Sequence, residues 1–134
     1  MKAKGLKGMF LIMSFFVLIF AYGSTFVEWV VPENAKNQKN PQAKNEANIN
    51  SGKMLYAKHC KSCHGKDGLG DGPKASSIEA SCGDFSSAAF QAQTDGALYY
   101  KTSEGKGDMP AFKGKIPDEK ERWNLVLYMR TLKK

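Results

Sequence analysis

Cysteine and histidine are scarce in this chain: 134 residues contain three of the first and two of the second. A structural zinc site wants about four nitrogen and sulfur ligands. Once the short cluster at 60–64 is counted, only Cys82 and His59 remain to complete one. No cysteine lies near residues 15–30, so a lipid-modified amino terminus is excluded. The chain has no segment that alternates apolar and polar residues as a strand does, and the folded part is therefore expected to be all-α. Gly68-Leu69-Gly70-Asp71-Gly72-Pro73 is glycine-rich but matches neither a Walker loop nor a dinucleotide fingerprint, and no strand precedes it. Formal net charge is +7, yet no Lys/Arg-rich run interleaved with aromatics occurs in the folded part, and nucleic acid is not an expected partner.

What is present begins with an apolar amino terminus. Lys2, Lys4 and Lys7 precede an apolar run from Met9 to Tyr22, and apolar character resumes from Phe26 to Val31 before Pro32. Two readings of residues 1–31 stay open. A basic n-region and an h-region followed by Ala21-Tyr22-Gly23 suit a secretory signal. Alternatively, Met9 to Val31 carries Glu28 as its only charge, and as a helix would be about 34 Å long, enough for a ~30 Å hydrocarbon core. The second reading is favoured because the apolar stretch outruns an h-region, with Trp29 at the far interface and the lysines inside. Either way the remainder is exported: anchored on the periplasmic side of the cytoplasmic membrane, or soluble in the periplasm if the segment is cleaved.

Residues 32–50 are polar, with two prolines and almost nothing to bury, and read as a flexible linker. As a coil they would span roughly 22–26 Å on average and about 65 Å fully stretched. The folded domain is expected over 51–134. Asn50 or Ser51 can cap a helix running into Cys60, Asp84 and Asp95 can cap short helices over 86–93 and 96–103, and Asp118 with Glu121 opens the clearest helix, ending near Leu132. Met54 and Met129 stand at helical spacings that suit core packing.

Cys60-Lys61-Ser62-Cys63-His64 carries the chemistry. Its spacing matches covalent haem attachment. On a helix the three functional residues fall at i, i+3 and i+4 and share a face, so two thiols can bond a haem's vinyl edges while the imidazole reaches its iron. Half a zinc site and a dithiol redox pair are the competing readings.

The order of signals, Gly52 and Tyr56, then Cys60 to His64, then Gly107-Asp108-Met109-Pro110, then a terminal helix containing Arg122-Trp123-Asn124-Leu125-Val126-Leu127-Tyr128-Met129-Arg130, resembles the class I c-type cytochromes. The resemblance covers about residues 50–132 and implies a small helical bundle around one haem c. It implies thioether bonds from Cys60 and Cys63, His64 as proximal iron ligand, Met109 as distal ligand, and the Pro73 carbonyl as acceptor for the other nitrogen of His64. It also implies that Gly52 and Tyr56 cross Leu125 and Tyr128. The residues support Met109 separately: His59 adjoins Cys60 and cannot readily reach the opposite face of the ring, whereas Met109 lies in a glycine-flanked loop stiffened by Pro110.

His/Met ligation leaves no open position, which favours electron transfer over oxygen chemistry. The expected role is one-electron transfer in an exported respiratory or photosynthetic chain, between partners such as a quinol-oxidising complex and a terminal oxidase, with no small-molecule substrate and no enzymatic activity of its own. The alternative is a fixed haem c subunit of a larger membrane oxidoreductase. Lys61, Lys66, Lys74, Lys106, Lys113 and Lys115 lie in loops expected to border the haem, where they could steer an acidic partner. Cys82 is the odd thiol, either a small loop residue or a site for an intermolecular disulfide.

Overall fold

A computed structural model describes residues 29–134. The proposed signal or anchor therefore lies almost wholly outside the described residues. Among the described residues, no helix is long and apolar enough to cross a membrane.

The described residues form six α-helices: α1 (Glu33–Lys36), α2 (Glu46–His59), α3 (Lys61–His64), α4 (Ala88–Gln91), α5 (Asp95–Glu104) and α6 (Glu119–Thr131). A single 3₁₀ turn, Ala75–Ser77, interrupts the loop between α3 and α4. The expectation of an all-α domain holds for these residues, with one isolated bridge between Lys106 and Met109 as the only β-type pairing.

The central contact is the crossing of α2 and α6. Gly52 permits it: a Cβ there would collide with the carbonyl of Asn124 and press on Cβ of Tyr128. One turn on, Tyr56 is 2% exposed, its ring centroid 5.1 Å from that of Tyr128, and its hydroxyl donates to the Gly65 carbonyl at 2.8 Å. Leu125 and Val126 are fully enclosed beneath this crossing. Phe85, Leu98, Phe112, Ile116, Trp123 and Met129 complete the core. The Gly52–Tyr56 against Leu125–Tyr128 crossing is thus the one the resemblance implied.

Helix boundaries follow local capping chemistry more closely than the sequence suggested. Helix α2 starts earlier than Asn50 or Ser51, because the Asn45 side chain accepts from Asn48 N at 2.9 Å and nothing in 46–51 breaks the helix. Thr94, rather than Asp95, caps α5, and Ser87, rather than Asp84, caps the shortened α4. Asp84 instead folds a tight turn, accepting from Ser86 N at 2.8 Å and Ser86 Oγ at 2.6 Å. Asp118 caps α6 as expected, accepting from Lys120 N at 2.8 Å. Met129 is in the core, but Met54 is 69% exposed and lies outside it.

The largest departure is at residues 32–50. Expected as a linker, this stretch instead carries α1 and the first turn of α2, and its first half lies against the domain. Val31 and Ala35 are buried against Ala97 of α5, with Trp29 and Tyr100 packed alongside. Gly96 makes room, since a Cβ would run into the Ala35 carbonyl. Further on, Asn40 Nδ2 donates to the Trp123 carbonyl at 3.0 Å. Polar composition concealed this because residues 32–50 bury only one small apolar side chain, Ala35, and are held otherwise by backbone approach and a side-chain amide.

Candidate functional site

Cys60 ends α2 and starts α3, so the reactive cluster sits where one helix turns into the next. Its backbone N–H donates to the Tyr56 carbonyl at 2.9 Å, while its own carbonyl accepts from Cys63 N at 3.1 Å and His64 N at 3.0 Å. These bonds wind Cys60, Cys63 and His64 into one turn, giving the shared face that their spacing requires. Gly65, at φ +81°, then turns the chain out of the helix.

The loop that follows folds back under this turn. Gly70 N donates to the His64 carbonyl at 2.9 Å, Gly72 N to the Cys63 carbonyl at 3.1 Å and Lys74 N to the Ser62 carbonyl at 2.8 Å. A side chain at Gly72 would strike the backbone of Ser62 and Cys63, so the glycine run is a close-packed support rather than a phosphate cradle. Pro73 lies in this support and is exposed.

The Pro73 carbonyl is not the partner of the His64 ring. His64 Nδ1 is 2.7 Å from the Cys82 carbonyl. A carbonyl oxygen can only accept, so the ring proton resides on Nδ1 and the Nε2 lone pair is left for a metal. The loop under α3 engages that turn's backbone, and the chain reaches the imidazole only ten residues later. The Phe85 ring lies against the imidazole at 4.5 Å between centroids, with Phe90 stacked behind it at 4.2 Å.

Electrostatics agree with a ligand. Burial lowers the His64 pKa, partly opposed by the bond to Cys82, and keeps the imidazole in the neutral form that coordinates metal. Burial, with Cys63 beside it, pushes the Cys60 thiol up to about 12. A dithiol redox pair needs a lowered thiol pKa, and Cys60 has the opposite. No disulfide joins Cys60, Cys63 and Cys82. Among the described residues, no group of three or more His, Cys, Asp or Glu side chains is placed to hold a metal ion.

Met109 sits in the turn between α5 and α6, partly buried and packed against the same core as Cys60. Reciprocal backbone bonds with Lys106, 2.9 and 3.0 Å, hold it there. Gly105 (φ +65°) and Gly107 (φ +56°) give this turn its shape. The six lysines expected around the site are all exposed, Lys113 being paired with Glu104 at 2.6 Å and Lys115 lying over the Phe112 ring. Two free thiols on one helical turn, beside an imidazole whose orientation is already set, are a donor set that fits a covalently attached haem.

Sequence reasoning missed the Cys82 carbonyl and Phe85. Cys82 acts through its backbone, which carries no residue-type signal. Phe85 had the ordinary appearance of a core aromatic.

The chain matches the family described as cytochrome C oxidase, cbb3-type, subunit III, over residues 47–129. Among solved structures it is similar to the Kuenenia stuttgartiensis reducing HAO-like protein complex Kustc0457/Kustc0458, with 30% identity, a TM-score of 0.64, and coverage of 70% of this chain and 47% of that one. It is also similar to the KustC0563 c-type cytochrome, with 34% identity, a TM-score of 0.55, and coverage of 62% of this chain and 98% of that one. The chain thus spans about half the length of the first and nearly all of the second. No curated protein matches it.

Proposed function

The chain belongs to the family of cytochrome C oxidase, cbb3-type, subunit III, a c-type cytochrome family, and from that premise we propose a one-electron carrier in which His64 and Met109 would ligate the haem iron. The covalently bound haem c supplies reversible single-electron exchange. In this reading Cys60 and Cys63 would hold the haem through two thioether bonds and His64 would offer Nε2 to its iron. The observation that carries it is the 2.7 Å bond from His64 Nδ1 to the Cys82 carbonyl, which sets tautomer and ring orientation together. The domain works on the periplasmic face of the cytoplasmic membrane, passing electrons between a quinol-oxidising complex and a terminal oxidase. The exposed lysines around the loops steer acidic partners.

A second reading, a fixed haem subunit of a membrane oxidoreductase, gains from the packing of residues 31–40. A 19-residue coil would let the domain swing between partners, whereas a segment seated on α5 shortens that reach.

A haem-stained denaturing gel of washed membranes beside the soluble exported fraction tests the proposal. The expected result is a stained band in the membranes that disappears in the Cys60→Ala, Cys63→Ala double variant. A stained band in the soluble fraction alone overturns the anchor, and no band from protein shown to be present overturns covalent haem. In mild detergent, a native gel separates the two readings: haem stain migrating only as the single chain favours the mobile carrier, and stain in a larger assembly favours the fixed subunit.

A further inference from the structure

Arg122 is an unusual residue to find inside so small a core. It is 5% exposed, and a buried guanidinium is costly unless its donors are matched. Its acid partner is weak compensation: Glu119 lies 3.9 Å away and is itself 76% exposed. The donors go elsewhere. Nε donates to Ser103 Oγ at 3.1 Å, one terminal nitrogen donates to the carbonyls of Ile116 at 2.5 Å and Pro117 at 3.0 Å, and the other donates to Tyr99 Oη at 2.9 Å.

The sequence positions of those acceptors give the arrangement a meaning. Ser103 is the penultimate residue of α5, immediately before the loop that carries Met109, and Tyr99 lies one turn earlier on the same helix. Ile116 and Pro117 stand immediately after that loop. One planar cation therefore ties the entrance of the Met109 loop to its exit. Two backbone bonds run the same way, Phe112 N to the Thr102 carbonyl and Lys113 N to the Ser103 carbonyl, each 3.2 Å. Tyr99 is fixed in turn by stacking on Trp123, 3.9 Å between centroids and 9° between planes. Arg122 and Trp123 are neighbours on α6, so the tie is anchored in the best-packed helix of the domain.

We propose that Arg122 is a positioning residue that closes the base of the loop bearing Met109 and so holds its thioether at the iron. The inference rests on the reading of Met109 as distal ligand. Lysine cannot replace Arg122, because its ammonium is a point charge and cannot address acceptors on both sides of the loop in one plane. Without the tie, the loop's open conformations gain weight, and a competing ligand meets less opposition.

Imidazole binding to the ferric holoprotein, followed by absorption, reads this competition directly. The wild-type protein must first show the charge-transfer absorption of methionine-ligated ferric haem. Its absence overturns Met109 as ligand, and the role of Arg122 falls with it. Given that band, Arg122→Gln and Arg122→Lys are expected to bind imidazole at least about tenfold more tightly, a change of about 1.4 kcal/mol. Should both fail to mature, Ser103→Ala, which removes one acceptor at the loop entrance, is expected to tighten binding about threefold, near the net value of one hydrogen bond. Glu119→Gln is expected to change nothing, since it alters only the exposed charge. Imidazole affinity within about twofold of wild type in the Arg122 variants, or in Ser103→Ala where those do not mature, overturns the proposal.

Discussion

At the scale of single residues, the backbone of Cys82 matters more than its thiol. Its carbonyl fixes the imidazole of His64 at 2.7 Å, and that service does not depend on the side chain. Cys82→Ala is therefore expected to keep its covalent haem and its absorption spectrum while losing the one thiol that remains open to alkylation. A loss of haem in that variant would give the sulfur a role that its position does not suggest. Asp84 illustrates the opposite case, a side chain that holds a turn by charge. The Ser86 hydroxyl, then the Ser86 N–H, draws its pKa below the ordinary 3.8. A depressed carboxylate stabilises the fold above its unfolded pKa and loses that contribution as pH falls through the folded value. Wild type should accordingly melt above Asp84→Asn at pH 6, and the gap should close as the pH is taken well below 3.8.

At the scale of elements, everything near the site depends on how closely α2 approaches α6. Cys60 is the residue after α2, so a displacement of that helix moves the attachment turn with it. Gly52→Ala is the most economical disturbance, placing a methyl group against the Asn124 carbonyl. Overpacking of this kind costs about 1–3 kcal/mol. In a domain this small that corresponds to a fall in melting temperature of roughly 5–20 °C. A circular-dichroism melt checks it, and an unchanged midpoint would mean the helices can part without cost.

At the scale of the whole molecule, the segment before α2 sets how far the domain can travel from whatever precedes it. The burial of Val31 and Ala35 on α5 predicts that residues 36–45 resist proteolysis in the native protein. Gly96→Ala drives a methyl group into the Ala35 carbonyl and should make that stretch cleavable while the haem spectrum stays unchanged. Equal cleavage of both proteins would restore the flexible linker. Arg130 strengthens the same side of the domain, bonding Asp95 Oδ1 at 2.7 Å and the carbonyls of Gln91 and Gln93 at 2.9 and 2.6 Å. It ties the short α4 to the start of α5 across the end of α6.

How much of this was legible in the residues themselves depends on the range of the interaction concerned. The attachment turn, the caps at Asp118 and Gly105, and the apolar face of α6 are local: each is decided within four or five positions by spacing, side-chain oxygen or backbone freedom. The close approach at Gly52 was legible only through the family resemblance, since a helical glycine does not by itself name the helix it meets. The partner of the His64 ring was not readable. It is a carbonyl eighteen residues away, every residue but proline offers the same carbonyl and N–H, and the chain's path alone decides which one arrives. The seating of residues 31–40 was hidden for a related reason, because its contacts are made by backbone and one asparagine rather than by an apolar pattern. Amino-acid sequence by itself thus determined the helical class, the thiol–imidazole turn and the family. Only tertiary structure decided which carbonyl orients the imidazole, which cation ties the two ends of the Met109 loop, and how residues 31–40 seat against α5 and α6.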